Sequence, residues 1–428
     1  MGWIIFTVMV VLLLIGFPMM IPLIVGAGVG FVMLFGDLSQ METLIQQMLT
    51  GIRPTSLIAV PLFIFAADIM TRGQSADRLI DLVMSFVGHL RGGLAVSTAA
   101  ACTLFGAVSG STQATVVAVG GPLRPRMLQA GYKDSFVLAL IVNASDIAFL
   151  IPPSIGMIIY GVVSNTSISE LFIAGIGPGL ALLAAFSAYS WVYALRNNVP
   201  TGPRATWSHR LRAMRRAIWP MGFPLIIVGG IYGGVFSPTE AAAACVLYAL
   251  ILEMLIFREV SLTDLWATAK STGLITAVVF ILVAAGAAFS WVISFAQIPQ
   301  AILTAIGIAE MGQTGVLITI AIAFFIGCMF VDPIVVILVL VPIFAPVVGQ
   351  VGLDPVLVGT LITLQVAIGS ATPPFGCDIF TAMAVFRRSY GEVIRGTPPF
   401  IAILLAMSGL LIFWPELALG LRDLVFDK

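Results

Sequence analysis

From Met1 to Gly36 the chain carries no charged side chain, and from Ser271 to Ala309 it again carries none. Apolar runs of that length are a bilayer signature, because about 20 apolar residues in helical form span the hydrocarbon core. Across 428 residues the chain is 60% apolar and 9% charged, against about 25% charged in an ordinary soluble domain. So few charges cannot cover a soluble globule. The chain therefore reads as a polytopic all-α membrane protein, with material for roughly ten to fourteen crossings after loops are subtracted. Twenty Lys+Arg balance twenty Asp+Glu, so nucleic acid is not an expected partner, whereas membrane lipid is. The opening MGWIIFTVMVVLLLIGFP lacks a basic start and a small-residue cleavage site, and reads as a retained first membrane helix. Cys102, Cys245, Cys328 and Cys377 sit in apolar runs at irregular spacing, which fits buried thiols better than a disulfide framework or a metal knuckle.

Sparse charges make their positions informative, since Lys and Arg gather in short cytoplasmic loops. The densest basic stretch, 196–216, holds Arg196, Arg204, Arg210, Arg212, Arg215 and Arg216 and is assigned as a central cytoplasmic loop. Arg72, Arg78 and Arg91, then Arg124, Arg126 and Lys133, then Arg258 and Lys270, then Arg387, Arg388 and Arg395 are placed on the same side. Stretches without Lys or Arg, at Ser164–Glu170, Ser237–Glu240, Ile298–Gly312 and Gly349–Asp354, are placed outside.

Sliding the chain against itself by 221 residues pairs Gly106 with Gly327, Pro125 with Pro346, Gln129 with Gln350, Gly131 with Gly352, Pro152-Pro153 with Pro373-Pro374 and Pro178 with Pro399. The first copy is basic before its Pro-Pro and bare after it, and the second is the reverse. Opposite charge around equivalent prolines means opposite topology. Inverted repeats with interrupted apolar segments in matching positions point to a secondary transporter that binds its cargo at the breaks. Composition bias with coincidental matches is the bland alternative.

Each copy has two interruptions. Ser109-Gly110-Ser111-Thr112 and Val331-Asp332-Pro333 lie between apolar arms that start and end on one side, the pattern of a re-entrant hairpin whose tip must line protein or water. A small-residue packing patch is the other reading. The second interruption runs from Asn143 and Asp146 to Pro152-Pro153, and from Gln365 to Pro373-Pro374. Proline lacks an N–H and clashes with the carbonyl four residues back, so the carbonyls of Ala148 and Gly369 are expected to be free. Carbonyl and hydroxyl oxygens facing a Ser/Thr-rich tip suit a small hard cation such as Na⁺, and half-helix N-termini attract an anionic group. Plain kinks that shape a bundle remain the alternative. Asp146 and Asp332 stand in these motifs as costly intramembrane carboxylates. Asp378 is a weaker candidate of that kind, while Asp68 and Glu240 read as helix-end groups. No phosphate-binding loop or Cys/His metal spacing occurs, and enzymatic chemistry by Asp146 with Asp332 is disfavoured because Ser111, not Asp, is the repeat partner of Asp332.

Together VPLFIFAADIM (Val60–Met70), GHLRGGLA (Gly88–Ala95), SGSTQATVVAVG (Ser109–Gly120), LIPPSIGMIIYGVV (Leu150–Val163), FVDPIVVILVLVP (Phe330–Pro342) and AIGSATPPFG (Ala367–Gly376) resemble the large membrane subunit of the TRAP (tripartite ATP-independent periplasmic) transporters, of the dicarboxylate, DctM-like type. The resemblance implies an inverted-repeat elevator-type transporter in the bacterial inner membrane, two Na⁺ sites, a periplasmic substrate-binding protein (DctP-like) and a small four-helix membrane subunit (DctQ-like). It places one Na⁺ on Ser109, Ser111 or Thr112 with Ala148, Ile151 and Pro153, and the other on Cys328, Gly369, Thr372 and Phe375 near Asp332. Substrate residues would be Ser109, Gly110, Ser111, Asn143, Asp146, Asp332, Pro333 and Gln365. Asp146, Gln365 and Asp68 depart from the family's usual small residue or Thr, Asn and Gly.

The expected organisation is scaffold helices in 1–93, a first transport repeat in 94–166, scaffold in 167–314, a second transport repeat in 315–387 and a C-terminal helix in 388–428. The expected activity is Na⁺-coupled import of a small organic anion, a C4-dicarboxylate, sugar acid or sulfonate. A stand-alone Na⁺- or H⁺-coupled symporter or antiporter without a binding protein is the alternative.

Overall fold

A computed structural model describes residues 1–36, 41–307 and 311–426. Among these residues the chain is helical, with no strand. Six helices are long and apolar enough to cross a membrane: Thr55–Arg72, Ile168–Arg196, Pro238–Ile256, Leu262–Phe295, Gly312–Phe330 and Pro333–Gln350. A seventh is the pair Pro398–Phe413 and Glu416–Phe426, bent by 57°. The number falls below ten because the remaining apolar helices come as pieces of 10–17 residues. Gly, Ser and Pro at the interruptions cut them short.

The N-terminal part is α1 (Gly2–Leu14), α2 (Met20–Phe35), α3 (Met41–Gly51), α4 (Ala59–Arg72) and α5 (Ser75–Val87). The first repeat is α6 (Gly93–Ser109), α7 (Thr112–Gln129), α8 (Asp134–Ser145), α9 (Ile155–Ser164) and α10 (Ile168–Arg196). Next come α11 (Trp207–Ala217), α12 (Pro238–Leu250), α13 (Leu262–Phe295) and α14 (Ile298–Ile306). The second repeat is α15 (Gly312–Phe330), α16 (Pro333–Gln350), α17 (Pro355–Ser370), α18 (Cys377–Phe386) and α19 (Pro398–Phe413), followed by α20 (Glu416–Phe426).

Two stretches expected as loops are partly helical. Within 196–216, α11 begins after Thr206, whose hydroxyl accepts the His209 N–H at 3.3 Å. It packs on α5, where Arg210 donates to the Ser85 carbonyl at 3.1 Å and lies over the Phe86 and Trp207 rings. A guanidinium with an aromatic seat and a carbonyl partner stabilises helix where composition alone reads as loop. The outer stretch Ile298–Gly312 opens with α14, and residues 308–310 lie outside the described residues.

Helix boundaries repeat in register: Thr112 and Pro333 open α7 and α16, Gln129 and Gln350 close them, and Asp134 and Pro355 open α8 and α17, each pair 221 residues apart. Contacts between the copies are exchanged accordingly. α7 packs on α18 as α16 packs on α9, and α10 packs on α17 as α19 packs on α8. Such reciprocity is what a two-fold relation between the copies produces.

Charges at the two ends agree with inverted topology. Arg124, before the first Pro-Pro, and Arg388, after the second, both reach Asp134, at 2.7 and 3.0 Å. At the opposite set of loops, Arg422 of α20 joins Asp354 at 2.6 Å and Glu170 at 4.0 Å. Arg124 forms a two-pronged pair with Asp134, through Nε at 2.8 Å and Nη2 at 2.7 Å. Asp134→Ala is therefore expected to destabilise the fold by about 1–2 kcal/mol, discounted for partial exposure. Arg388→Ala should cost less, and thermal unfolding in detergent checks the order.

Candidate functional site at the hairpin tips and helix breaks

Each hairpin turns in two or three residues. After α6, Gly110 takes φ +61°, and Ser111 is extended and caps α7, its hydroxyl accepting the Ala114 N–H at 3.4 Å. After α15, Val331 is extended and Asp332 caps α16, Oδ1 accepting the Ile334 N–H at 2.9 Å. Ser111 and Asp332 are repeat equivalents, so one capping role recurs with a different acceptor. Asp332 is exposed at its tip.

Each tip docks on the break of its own copy. The Gly110 carbonyl accepts the Ile155 N–H at 3.3 Å, and a Cβ at Gly110 would lie 2.4 Å from the Pro153 carbonyl oxygen. In the second copy the Phe375 N–H donates to the Met329 carbonyl at 3.1 Å, and a Cβ at Gly369 would lie 2.4 Å from the Cys328 Cβ. Glycine is needed where backbones approach this closely. Both Pro-Pro bonds are cis.

The breaks differ in how they use their carbonyls. α8 passes into a 3-10 turn, Asp146–Phe149, and Ser154 restarts the helix as cap of α9. Ile151 donates to Ile147, one residue before Ala148, at 3.0 Å. The Gly369 carbonyl, expected free, accepts the Thr372 N–H at 3.2 Å, because the chain tightens into a three-residue turn before Pro373. A carbonyl has two lone pairs, so one remains for another partner. The Thr372 hydroxyl returns to the carbonyl of Ile368 at 2.6 Å, and the one Ser370 hydroxyl proton is shared between the Ala367 carbonyl at 2.7 Å and Asp378 Oδ2.

Where the copies cross, the first tip meets the second break. Thr112 donates to Asp378 Oδ1 and Ser370 to Asp378 Oδ2, both at 2.8 Å, and Gln113 donates to the Cys377 thiol at 3.2 Å. Asp378 is fully buried and lies within electrostatic reach of Asp146 and Asp332. Asp146 is also buried, yet neither of its oxygens has a hydrogen-bond partner, nor has Oδ1 of buried Asn143. Among the described residues no Lys or Arg forms an ion pair with Asp146, Asp332 or Asp378. No group of three His, Cys, Asp or Glu converges there to hold a metal by side chains.

Of the residues named from sequence, Ser109, Gly110, Ser111 and Thr112 form the first tip, with the Ser109 hydroxyl 3.3 Å from that of Thr115. Ile151 and Pro153 belong to the first break; Gly369 lies against Cys328 behind the second tip, and Thr372 is bonded to Gly369. Phe375 is exposed and its ring is tilted by 46° against that of Phe330, ring centroids 6.0 Å apart. Pro333 is buried beneath the second tip. Gln365 turns the other way, donating to Ser408 of α19. Sequence reasoning undervalued Asp378 and passed over Ser370. The available signal was the position of both residues inside the second break.

A family model described as "Tripartite ATP-independent periplasmic transporter, DctM component" matches residues 6–417. The chain is 79% identical, over 99% of both chains, to the "Ectoine/5-hydroxyectoine TRAP transporter large permease protein UehC" of Ruegeria pomeroyi. It is 72% identical, over 98% of both, to the "Ectoine TRAP transporter large permease protein TeaC" of Halomonas elongata. Among solved structures, the Alcanivorax borkumensis YdaH transporter aligns with TM-score 0.64 at 16% identity, covering 90% of each chain, a likeness of fold alone.

Proposed function

Because the chain belongs to the DctM family of TRAP large permeases, a multi-pass bacterial inner-membrane component and not an enzyme, we propose that it imports ectoine and 5-hydroxyectoine. The carrying observation is the end-to-end identity of 79% to a permease named for those two solutes. The dicarboxylate default of the resemblance gives way on that ground, and a buried acid pair without a basic partner is a poor seat for a dianion.

In this reading the permease works with a small membrane subunit and a periplasmic binding protein that delivers the solute. Na⁺ is the coupled cargo. The Ser109 and Thr112 hydroxyls with the carbonyls of Ala148, Ile151 and Pro153 supply one oxygen set, and the Cys328, Gly369, Thr372 and Phe375 backbone, with the Thr372 hydroxyl, supplies the other. Such oxygen ligands suit a hard cation without requiring a formal charge. Ordering the tips over the breaks then completes the solute site, and residues 94–166 with 315–387 move as a unit against the scaffold. Departures from a stand-alone symporter are testable together.

In proteoliposomes holding both membrane subunits, an inward Na⁺ gradient and loaded binding protein should drive ectoine uptake, with succinate not accumulated. Uptake without the binding protein favours the stand-alone reading. Succinate accumulation without ectoine uptake, or indifference to Na⁺, overturns the proposal.

A further inference from the structure

Helix α11 has three different faces. Arg210, Ala213 and Ala217 are its buried residues, and the helix packs on α5. Trp207, Leu211, Met214 and Ile218 recur at intervals of four, three and four residues, and all are exposed, Trp207 to 75%. That spacing places them in one stripe along the helix. Arg212, Arg215 and Arg216 occupy the remaining face, exposed, and among the described residues none of them forms an ion pair. An apolar stripe beside a basic face is the make-up of a helix lying in the membrane interface, with its apolar residues at the acyl boundary and its arginines among headgroups. The stripe runs on into exposed Trp219, Met221 and Leu225. Leu225 belongs to the apolar helical segment Gly222–Tyr232, so lipid that covers this segment reaches α11 as well.

Beside the stripe lies a buried positive charge. Arg210 is 6% exposed, and its Nε donates to the Ser85 carbonyl at 3.1 Å. Its guanidinium carbon is 5.0 Å from the Trp207 ring centroid and 5.6 Å from that of Phe86. Nη2 is buried without a hydrogen-bond partner, and among the described residues no carboxylate pairs with this guanidinium. Ring faces attract a cation, but a buried guanidinium is normally matched by an anion. Trp207 belongs both to the stripe and to the Arg210 seat, so the unmatched charge stands where the apolar stripe begins.

We propose that α11 is a binding site for an acidic phospholipid, with Arg210 receiving the phosphodiester and the acyl chains lying along Trp207, Leu211, Met214 and Ile218. Guanidinium and phosphate match in charge and in hydrogen-bond geometry. A zwitterionic lipid presents the same phosphate, but its ammonium meets Arg212, Arg215 and Arg216, so a headgroup of net negative charge is favoured. A protein face over this stripe would have to supply the acids that α11 lacks, whereas a lipid brings the anion together with its chains. The site is independent of which solute is carried.

The test adds phosphatidylglycerol, phosphatidylcholine or soluble glycerol 3-phosphate to the purified complex of both membrane subunits in detergent. Thermal unfolding and retained lipid, weighed by native mass spectrometry, are the readouts. Wild-type protein should prefer phosphatidylglycerol to phosphatidylcholine by about tenfold or more, and glycerol 3-phosphate, which has no chains, should not stabilise it. Arg210→Gln should weaken phosphatidylglycerol binding by about tenfold, the effect of losing a charge-assisted bond. Arg210→Lys keeps the charge but not the fork, should weaken binding in the same direction, and serves if Arg210→Gln does not fold. Leu211→Asn with Met214→Asn, both at exposed positions, should weaken both lipids. Equal affinity of wild-type protein for the two lipids overturns the inference, as does a preference unchanged by substitution of Arg210. Stabilisation by glycerol 3-phosphate as strong as that by the lipid also overturns it, because the site would then bind a free anion. An intact lipid response in the Leu211→Asn, Met214→Asn variant overturns it too, and loss of the small subunit from that variant would mark the stripe as a protein interface.

Discussion

Gly110→Val is expected to abolish solute uptake while leaving a folded permease in the membrane. Gly110 sits at φ +61° and its carbonyl is bonded to the Ile155 N–H. A β-branched residue in that region costs about 1–2 kcal/mol. Its Cβ would also lie 2.4 Å from the Pro153 carbonyl oxygen and 3.1 Å from the Pro153 carbonyl carbon. Both are backbone atoms of the break and cannot swing aside as a flexible side chain would, so overpacking adds about 1–3 kcal/mol. Together these lower the population of the docked tip by about a hundredfold or more. Because the tip also carries Thr112 to Asp378, undocking it dismantles the crossing of the two copies. The check is uptake in proteoliposomes beside thermal unfolding of the same sample. Uptake within about twofold of wild type would show that tip docking is dispensable.

The second large effect is on stability, at the far end of the scaffold. Glu253 is fully buried and accepts from the Gln74 N–H at 3.1 Å, the Ser75 N–H at 3.2 Å and the Ser75 hydroxyl. These are the orphan donors at the start of α5, and a carboxylate there also faces the positive end of the helix. Glu253→Ala leaves the donors buried and unpaired and opens a void, for a cost of about 3 kcal/mol or more. The unfolding midpoint should fall by about 5 °C or more. Gly73→Ala tests the same seat from the other side, since its Cβ would lie 1.9 Å from Glu253 Oε2. Glu240→Ala is the contrast. Glu240 completes an exposed capping box with Ser237, accepting the Ser237 N–H at 2.8 Å while its own N–H donates to the Ser237 hydroxyl. Water replaces those bonds when they are lost, so the midpoint should move far less. Equal shifts for Glu253→Ala and Glu240→Ala would contradict the argument from burial.

Glu253 also marks a limit of reading by residue type. Its neighbours in sequence are apolar, and nothing local distinguishes a buried cap for a helix that starts at Ser75 from an exposed acid at a helix end. Arg210 is similar: a basic stretch reads as solvated loop until Phe86, Trp207 and the Ser85 carbonyl are seen around one guanidinium. In each case the deciding partner is far away in the chain. Gln365 shows the same dependence on a distant partner: it lies inside the second break, and packing of α17 against α19 brings its amide to Ser408.

What the sequence by itself determined is everything governed by local chemistry and by symmetry. Uncharged runs demanded helices in a bilayer, glycine and serine required turns at Ser109–Thr112, and two Pro-Pro pairs 221 residues apart required two broken helices. The sign of charge beside each pair gave their opposite sense, which Asp134 and Arg422 bear out as gathering points at the two ends. Only the tertiary structure decided which acids meet. Asp146 and Asp332 both stand in the repeat motifs, Asp378 was the weaker candidate, and Asp332 caps its own helix at an exposed tip. Asp378 takes the place beside Asp146 because α18 of one copy packs on α7 of the other. A periodic pattern fixes which face of a helix is buried, whereas the partner across that face is set by how two copies fold around each other.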